Sequence, residues 1–364
     1  MTDHAASGQP SPRLEEVLAL LRGKVDSAQQ PALEAFVRRY YAGVDPEDLD
    51  EREVADLYGA ALSHWNFGRR RTPGQPSVRA LNPSLSEQGW QSTHTVIEIV
   101  NDDMPFLVDS VTMEVNRHGL TLHLIVHPIL EVRRSADGAL EGLGAGGARE
   151  SWIHVEVDRV PDTAALAELA ADIARVLGDV RAACADWQPM RDKLHEIAAA
   201  IAATPPPLPA DELAEGRAFL DWLADNHFTL LGYRCHDLVL HDGVESLRIV
   251  PGSGLGILHE SSQLGDGKDV AAAFAALPPA VRAVARKPEL LVVTKSNSRS
   301  TVHRPGYLDY IAVKRFDGAG QVCGEHRFLG LFTSTAYSAS PQQIPLLRRK
   351  AGEVIAQAGL VEGS

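Results

Sequence analysis

Cysteine is scarce and scattered. Cys184, Cys235 and Cys323 are odd in number, far apart and free of any C-x-x-C spacing. That excludes a disulfide scaffold and a zinc ribbon, and it fits a reducing, cytoplasmic setting. Long apolar runs are missing too: no stretch approaches the roughly 18 residues of a membrane span. Positive charge is in deficit, with 35 Lys and Arg against 48 Asp and Glu and a formal charge of −13. An acidic surface disfavours non-specific binding to nucleic acid or anionic membrane. The longest basic run, Arg69-Arg70-Arg71, reads as a solvated loop tip. Met1 to Pro12 lack the basic and apolar regions of a signal peptide and read as a frayed tail. No G-x-S-x-G or H-E-x-x-H occurs and no lysine sits in a glycine-rich catalytic context, so no catalytic residue is assigned.

What is present is ordinary globular material. The 364 residues suffice for two or three compact domains, and 45% are hydrophobic. The first 75 residues read as a helical motif. Leu14, Val17, Leu18 and Leu21 fall at helical spacing, as do Leu33, Phe36, Val37 and Tyr40 after Pro31. Asp45-Pro46 opens a third helix carrying Val54, Leu57, Ala61, Leu62 and Trp65. The three stripes require one another or a following domain as partner. Residues 68–91 read as a linker with a short strand near Val78–Leu81.

Residues 92–185 alternate strand and helix: strand 94–100, helix 105–118, strand 120–134, a glycine-rich connection, strand 151–157, helix 162–177. Residues 186–209 are helix and a proline-rich linker, the clearest domain boundary in the chain. Residues 210–340 read as a helix, two strands, a helix near 269–285 and three more strands, an α+β order with an antiparallel sheet. Residues 341–364 start a further helix, and the abrupt end suggests a piece of a longer polypeptide.

The loop Asn101-Asp102-Asp103-Met104-Pro105-Phe106-Leu107 joins the first strand to its helix. Asp102 and Asp103 favour the helix dipole and can cap free N–H groups. Equally, they can pair with an effector's amino group while the helix N–H groups take its carboxylate. The candidate effector site is therefore Asp102, Asp103, Pro105, Phe106 and Leu107. Alternation points Ile97, Ile99, Leu122, Leu124, Val126, Ile153, Val155 and Val157 towards the helices of this unit. The opposite face carries His94, Glu98, His123, His127, Trp152, His154 and Glu156. Histidines and glutamates in such number can bind metal, but none has the tight spacing of a zinc motif, and no metal is assigned. The face reads as a packing surface for another domain or subunit: His94, His123, His127 and His154, with Trp152 as anchor. Gly252-Ser253-Gly254-Leu255-Gly256 lacks the third glycine and the βαβ context of a dinucleotide fingerprint and reads as a bend. Lys295 to Pro305 reads as an exposed hairpin loop.

The run Trp90 to Val111, continued by Asn116-Arg117-His118-Gly119-Leu120 and His127-Pro128, resembles the N-terminal region of the large bacterial NAD-specific glutamate dehydrogenases. So do Arg217 to Leu223, Asn226 to Tyr233, and Arg304 to Tyr310. The resemblance implies a three-part α+β chain: the N-terminal helical motif, an ACT-like βαββαβ domain and a PAS-like antiparallel sheet domain. Asp103-Met104-Pro105-Phe106-Leu107 aligns with the ACT pattern Asp-x-Pro-Gly-Leu, with Phe106 in place of glycine. In the ACT-like domain the segment near 78–81 can supply a fourth strand. The resemblance implies a non-catalytic regulatory or oligomerisation segment of an enzyme converting glutamate and NAD to 2-oxoglutarate and ammonia. Its implied partners are the C-terminal catalytic domain, other subunits and an amino-acid effector. NAD belongs to the parent enzyme, with no cofactor in this segment.

Overall fold

The computed structural model describes residues 11–241, 244–259 and 287–357. The helix expected near 269–285 and the turn at Asp242-Gly243 lie outside them. The chain forms two compact units, Met1–Gly178 and Asp179–Ser364.

The first unit opens with four helices: α1 (Pro12–Lys24), α2 (Gln30–Tyr40), α3 (Pro46–Asp50) and α4 (Val54–Gly68). The stripes on α1 and α2 are buried as their spacing requires. The third expected helix is two. Asp45 caps α3 by accepting from the Glu47 N–H, and the chain is extended at Glu53 before α4. The break lets Leu49 on α3 and Leu57 on α4 enter the same core.

The sheet is antiparallel, with strands β1 (Ser77–Leu81), β2 (Thr95–Asp102), β3 (Leu122–Val126), β4 (Ile129–Arg134), β5 (Leu140–Leu143) and β6 (Ala148–Val157). Its order is β1-β2-β6-β4-β5, and β3 also pairs with β6. Helix α5 (Leu107–Arg117) follows β2, and α6 (Thr163–Ala185) follows β6. Ser77–Leu81 lies on the edge of β2, so this fourth strand precedes the motif in sequence instead of ending it. The expected strand 120–134 is interrupted at His127-Pro128. β3 pairs with residues 154–157 of β6 and β4 with residues 148–151. Proline has no N–H to give a ladder, and here its carbonyl accepts from the Trp152 N–H (3.0 Å).

A register shift in β3 between Leu122 and Leu124 corrects the alternation. Leu122 pairs with Val157, but Leu124 pairs with Glu156 and Val126 with His154. One extra residue turns the following side chains over. Leu124 and Val126 therefore join the face of Glu156 and His154, away from α5. They pack with α1–α4 in one core that also takes Val100, Leu130, Val132 and Trp152. The polar–aromatic face is thus covered by the chain's own N-terminal helices. Trp152 is fully buried there, its ring centroid 5.2 Å from both Phe36 and His64. Gly68 meets it at the end of α4, where a Cβ would stand 2.1 Å from the indole ring.

The second unit carries α7 (Trp187–Ala203) and α8 (Ala210–Trp222), on either side of the proline run. These two helices share one core with the sheet. Its strands are β7 (Phe228–His241), β8 (Val244–Ile249), β9 (Leu255–Gly256), β10 (Leu291–Arg299), β11 (Tyr307–Phe316) and β12 (Val322–Phe332). All pairs are antiparallel, in the order β10-β11-β12-β7-β8, with β9 beside β7. The glycine bend serves packing: Gly256 has φ +59, and a Cβ on it would stand 2.1 Å from the Leu231 carbonyl oxygen. β10 runs to Arg299, so the segment read as an exposed loop is half strand. Helices α9 (Ser334–Ser338) and α10 (Leu347–Gln357) follow.

Trp152→Ala removes the largest side chain of the first core. We expect a loss of about 3–5 kcal/mol of stability, read from chemical denaturation. A loss below about 1 kcal/mol would show that the helical layer does not depend on it.

Candidate functional site

The strand–helix loop is built from both sides. β2 ends at Asp102 and α5 begins at Leu107, leaving Asp103 to Phe106 as the turn. Asp103 is tied to β6, where its N–H donates to the Arg149 carbonyl (3.0 Å). Its carboxylate accepts from the Ser151 hydroxyl (2.8 Å) and pairs with Arg149 (2.9 Å). The Asp102 carboxylate accepts from Arg71. Both acids therefore hold protein partners, and the residue at the N-cap position is Phe106, whose side chain makes no capping hydrogen bond. The capping role expected of Asp102 and Asp103 gives way to ion pairing. The reason is spatial: Arg71 and Arg149 lie nearer in the fold than anything local sequence reveals.

Arg71 itself corrects the reading of Arg69-Arg70-Arg71 as a solvated tip. Arg70 is exposed and pairs with Asp137, but the Arg71 side chain is only 5% exposed. It pairs with Glu150 (3.0 Å), which is 1% exposed. Glu150 also accepts from Arg134 (2.7 and 2.9 Å) and from the indole N–H of Trp152 (3.2 Å). Two guanidiniums against the carboxylates of Glu150 and Asp102 leave this buried group with no net charge, the condition under which buried ions are tolerated.

Phe106 has φ +72, in the left-handed region that glycine enters freely and other residues enter at a cost. At the position of the ACT pattern's glycine, the backbone thus holds a shape that favours glycine. Phe106 is half-buried, Pro105 is exposed and Leu107, the first residue of α5, is buried.

The expected histidine face divides into several settings. His154 is buried, with Nε2 3.5 Å from Glu156. His94 lies 3.3 Å from the same carboxylate, and its ring sits 4.2 Å from that of His123. His123 pairs instead with Asp158 (2.8 Å) at the exposed edge. His127 stands by the loop: burial pushes its imidazole down, opposed by the Asp103 carboxylate. Burial would raise the Glu156 carboxyl, but hydrogen bonds from His154 and Arg52 outweigh it and hold the group at about 2. Arg52, 2.6 Å from Glu156, was not foreseen, because an arginine in an acidic helix junction looks like a surface residue. His64 was also unforeseen. Its Nε2–H donates to the Ile99 carbonyl (3.1 Å), so Nδ1 accepts from the Tyr40 hydroxyl (3.0 Å). Elsewhere, ligand atoms of Glu114, His118 and Asp172 lie within 4.8 Å of one another. Arg117 and Arg175 already occupy those carboxylates as cations.

Two expectations follow. Phe106→Gly should be more stable than Phe106→Ala by about 1 kcal/mol, because alanine keeps the left-handed cost without the ring. Equal stabilities would remove the strain argument. For Glu156, the folded value of about 2 lies below the ordinary 4.5. Its contribution is therefore full above pH 4.5 and lost as pH falls towards 2. The difference in unfolding free energy between wild type and Glu156→Gln should shrink by roughly 1–3 kcal/mol across that window. A pH-independent difference would contradict the pairing.

Comparison with known proteins agrees with this geometry. Residues 36–173 match the family model for the glutamate dehydrogenase ACT1 domain. The NAD-specific glutamate dehydrogenase of Halomonas elongata is 39% identical over 95% of this chain and 22% of its own length. That of Pseudomonas aeruginosa is 38% identical over 90% of this chain and 20% of its own. The chain thus spans about a fifth of the curated relatives it matches. A solved structure of an RNA-binding light-oxygen-voltage receptor aligns with a TM-score of 0.18 at 12% identity, too little to bear on the fold. The chain is therefore similar over nearly its whole length to about a fifth of the NAD-specific glutamate dehydrogenases, and residues 36–173 in its first unit match their ACT1 domain.

Proposed function

We propose that this chain is a non-catalytic regulatory and oligomerisation segment of a cytoplasmic NAD-dependent glutamate dehydrogenase. The parent enzyme oxidises L-glutamate with NAD to 2-oxoglutarate and ammonia, and NAD is bound outside this segment. The second unit serves as a PAS-like structural domain. The partners are the C-terminal catalytic domain and other subunits. The observation that carries this reading is the match of nearly the whole chain to about a fifth of each relative, with an ACT1 domain inside it. No described helix is long and apolar enough to cross a membrane. The charge of −13 also disfavours nucleic acid as a partner.

A second reading, an amino-acid-sensing ACT module that controls the parent allosterically, is favoured by the left-handed backbone at Phe106. That is a backbone shape suited to the glycine of the ACT pattern. Against a site in the loop itself stands the engagement of Asp102 and Asp103 by arginines.

Glutamate-dependent NAD reduction and particle size test the proposal. The 364-residue chain alone should show no turnover. The full-length enzyme lacking residues 36–173 should change in assembly size or in its response to amino acids. Turnover by the isolated chain would overturn the reading. So would a deletion variant with native size, rate and response.

A further inference from the structure

The second unit holds a cleft of about 980 Å³ between α7, the proline run and the sheet. That volume suits a drug-sized organic molecule. Ile197 and Ile201 of α7 and Val313 and Phe316 of β11 give it apolar sides. Gly320, in the turn between β11 and β12, closes on the proline run: a Cβ there would stand 2.6 Å from the Pro207 ring. Lys193, Tyr233, Arg315 and His326 bring the cleft its donors, and Glu196 and Asp317 its carboxylates.

The carboxylates are engaged. Asp317 accepts from the N–H groups of Ala319 and Gln321 (both 2.9 Å) and so closes its own turn. Glu196 pairs with Lys193 (2.6 Å), three residues away on the same helix. Both side chains are exposed, and such a pair is weak enough for Lys193 to take another partner.

The donors have capacity left. Arg315 makes its hydrogen bonds through Nη1, to Asp237, Cys235 and the His236 carbonyl. Its Nε and Nη2 hold no partner among the described residues. The Tyr233 hydroxyl meets Nδ1 of His326 at 2.9 Å. Burial, then Arg315 and Lys193, push that imidazole down to about 4, so at neutral pH it carries one proton. The phenol donates to Nδ1, which leaves the proton on Nε2. His326 Nε2 also holds no partner among the described residues. A guanidinium, an ammonium and an imidazole N–H at one cleft call for an acceptor, and two cations among them favour an anion. The apolar sides call for carbon.

We propose that this cleft binds a small amphiphilic carboxylate, an organic acid with one anionic head and an apolar body. The head takes Nε and Nη2 of Arg315 in the two-pronged geometry of guanidinium and carboxylate, with His326 Nε2 and Lys193 beside it. The body lies along Ile197, Ile201 and Phe316 in place of water. The site lies wholly in the second unit and stands independently of the regulatory and assembly roles proposed above.

The test is calorimetric titration of the 364-residue chain with octanoate and with phenylbutyrate. Octanol and acetate serve as controls that lack the head or the body. At least one of the two acids should bind saturably, at least about tenfold tighter than either control. Its Kd should weaken at least about tenfold in Arg315→Gln and at least about threefold in Lys193→Glu. The His326 ring signals in NMR spectra, assigned by their loss in His326→Gln, should shift as the acid binds. Should Arg315→Gln fail to fold, Lys193→Glu decides, since that side chain is 40% exposed. No saturable binding of either acid overturns the proposal. So does binding matched by octanol or acetate, binding unchanged in Lys193→Glu or in folded Arg315→Gln, or binding that leaves the His326 signals in place. Self-association that Lys193→Glu abolishes, with no acid bound, would assign the cleft to a second copy of the chain and overturn the proposal as well.

Discussion

Glu150 is the point on which the first unit depends. One carboxylate on β6 gathers Arg71 from beyond α4, Arg134 from β4 and the indole of Trp152, and through Arg71 it reaches Asp102 at the end of β2. Each of those groups belongs to a different stretch of chain. A buried charge tolerates neither a missing partner nor an approximate one, because desolvation is offset only by close, complete pairing. The network therefore sets how the segment after α4 meets the sheet and where the strand–helix loop begins. Trp152, tethered at its N–H, then carries the apolar half of the same junction against Phe36, His64 and Trp65.

That junction explains why the N-terminal helices are part of the ACT-type unit. A two-layer βα fold leaves one sheet face uncovered, and a face with fully buried Trp152 and nearly buried His154 and Glu156 requires a cover. Here α1–α4 provide it. Polar residues on that face are consequently interior groups, matched one by one: His154 and Arg52 to Glu156, Arg79 to Glu98, His64 to Ile99 and Tyr40. Trp90, His154 and Glu156, which each keep an unpartnered atom, line a cleft.

The strand–helix loop shows how a family pattern and its chemistry can separate. Phe106 makes a left-handed turn at the glycine position of the Asp-x-Pro-Gly-Leu pattern. Meanwhile the acids that make the loop look like an amine receptor are engaged by arginines. Backbone shape persists because β2 and α5 on either side constrain it. The side chains answer to whatever lies across the fold.

Local physics wrote much of this in the open. Helical stripes such as Leu14, Val17, Leu18 and Leu21, the proline and acidic starts of helices, and strands with β-rich composition depend on neighbours within a few residues, so sequence alone determined them. The resemblance rested on such runs too. The bulge that turns Leu124 and Val126 over, the burial of Arg71 and the identity of the layer that covers Trp152 were decided only by tertiary structure. The partners in those cases are far apart in sequence, Arg71 and Glu150 by 79 residues, and neither charge nor periodicity says which distant group will be the neighbour. An arginine followed by Thr-Pro-Gly reads as a loop tip until a buried glutamate across the fold claims it.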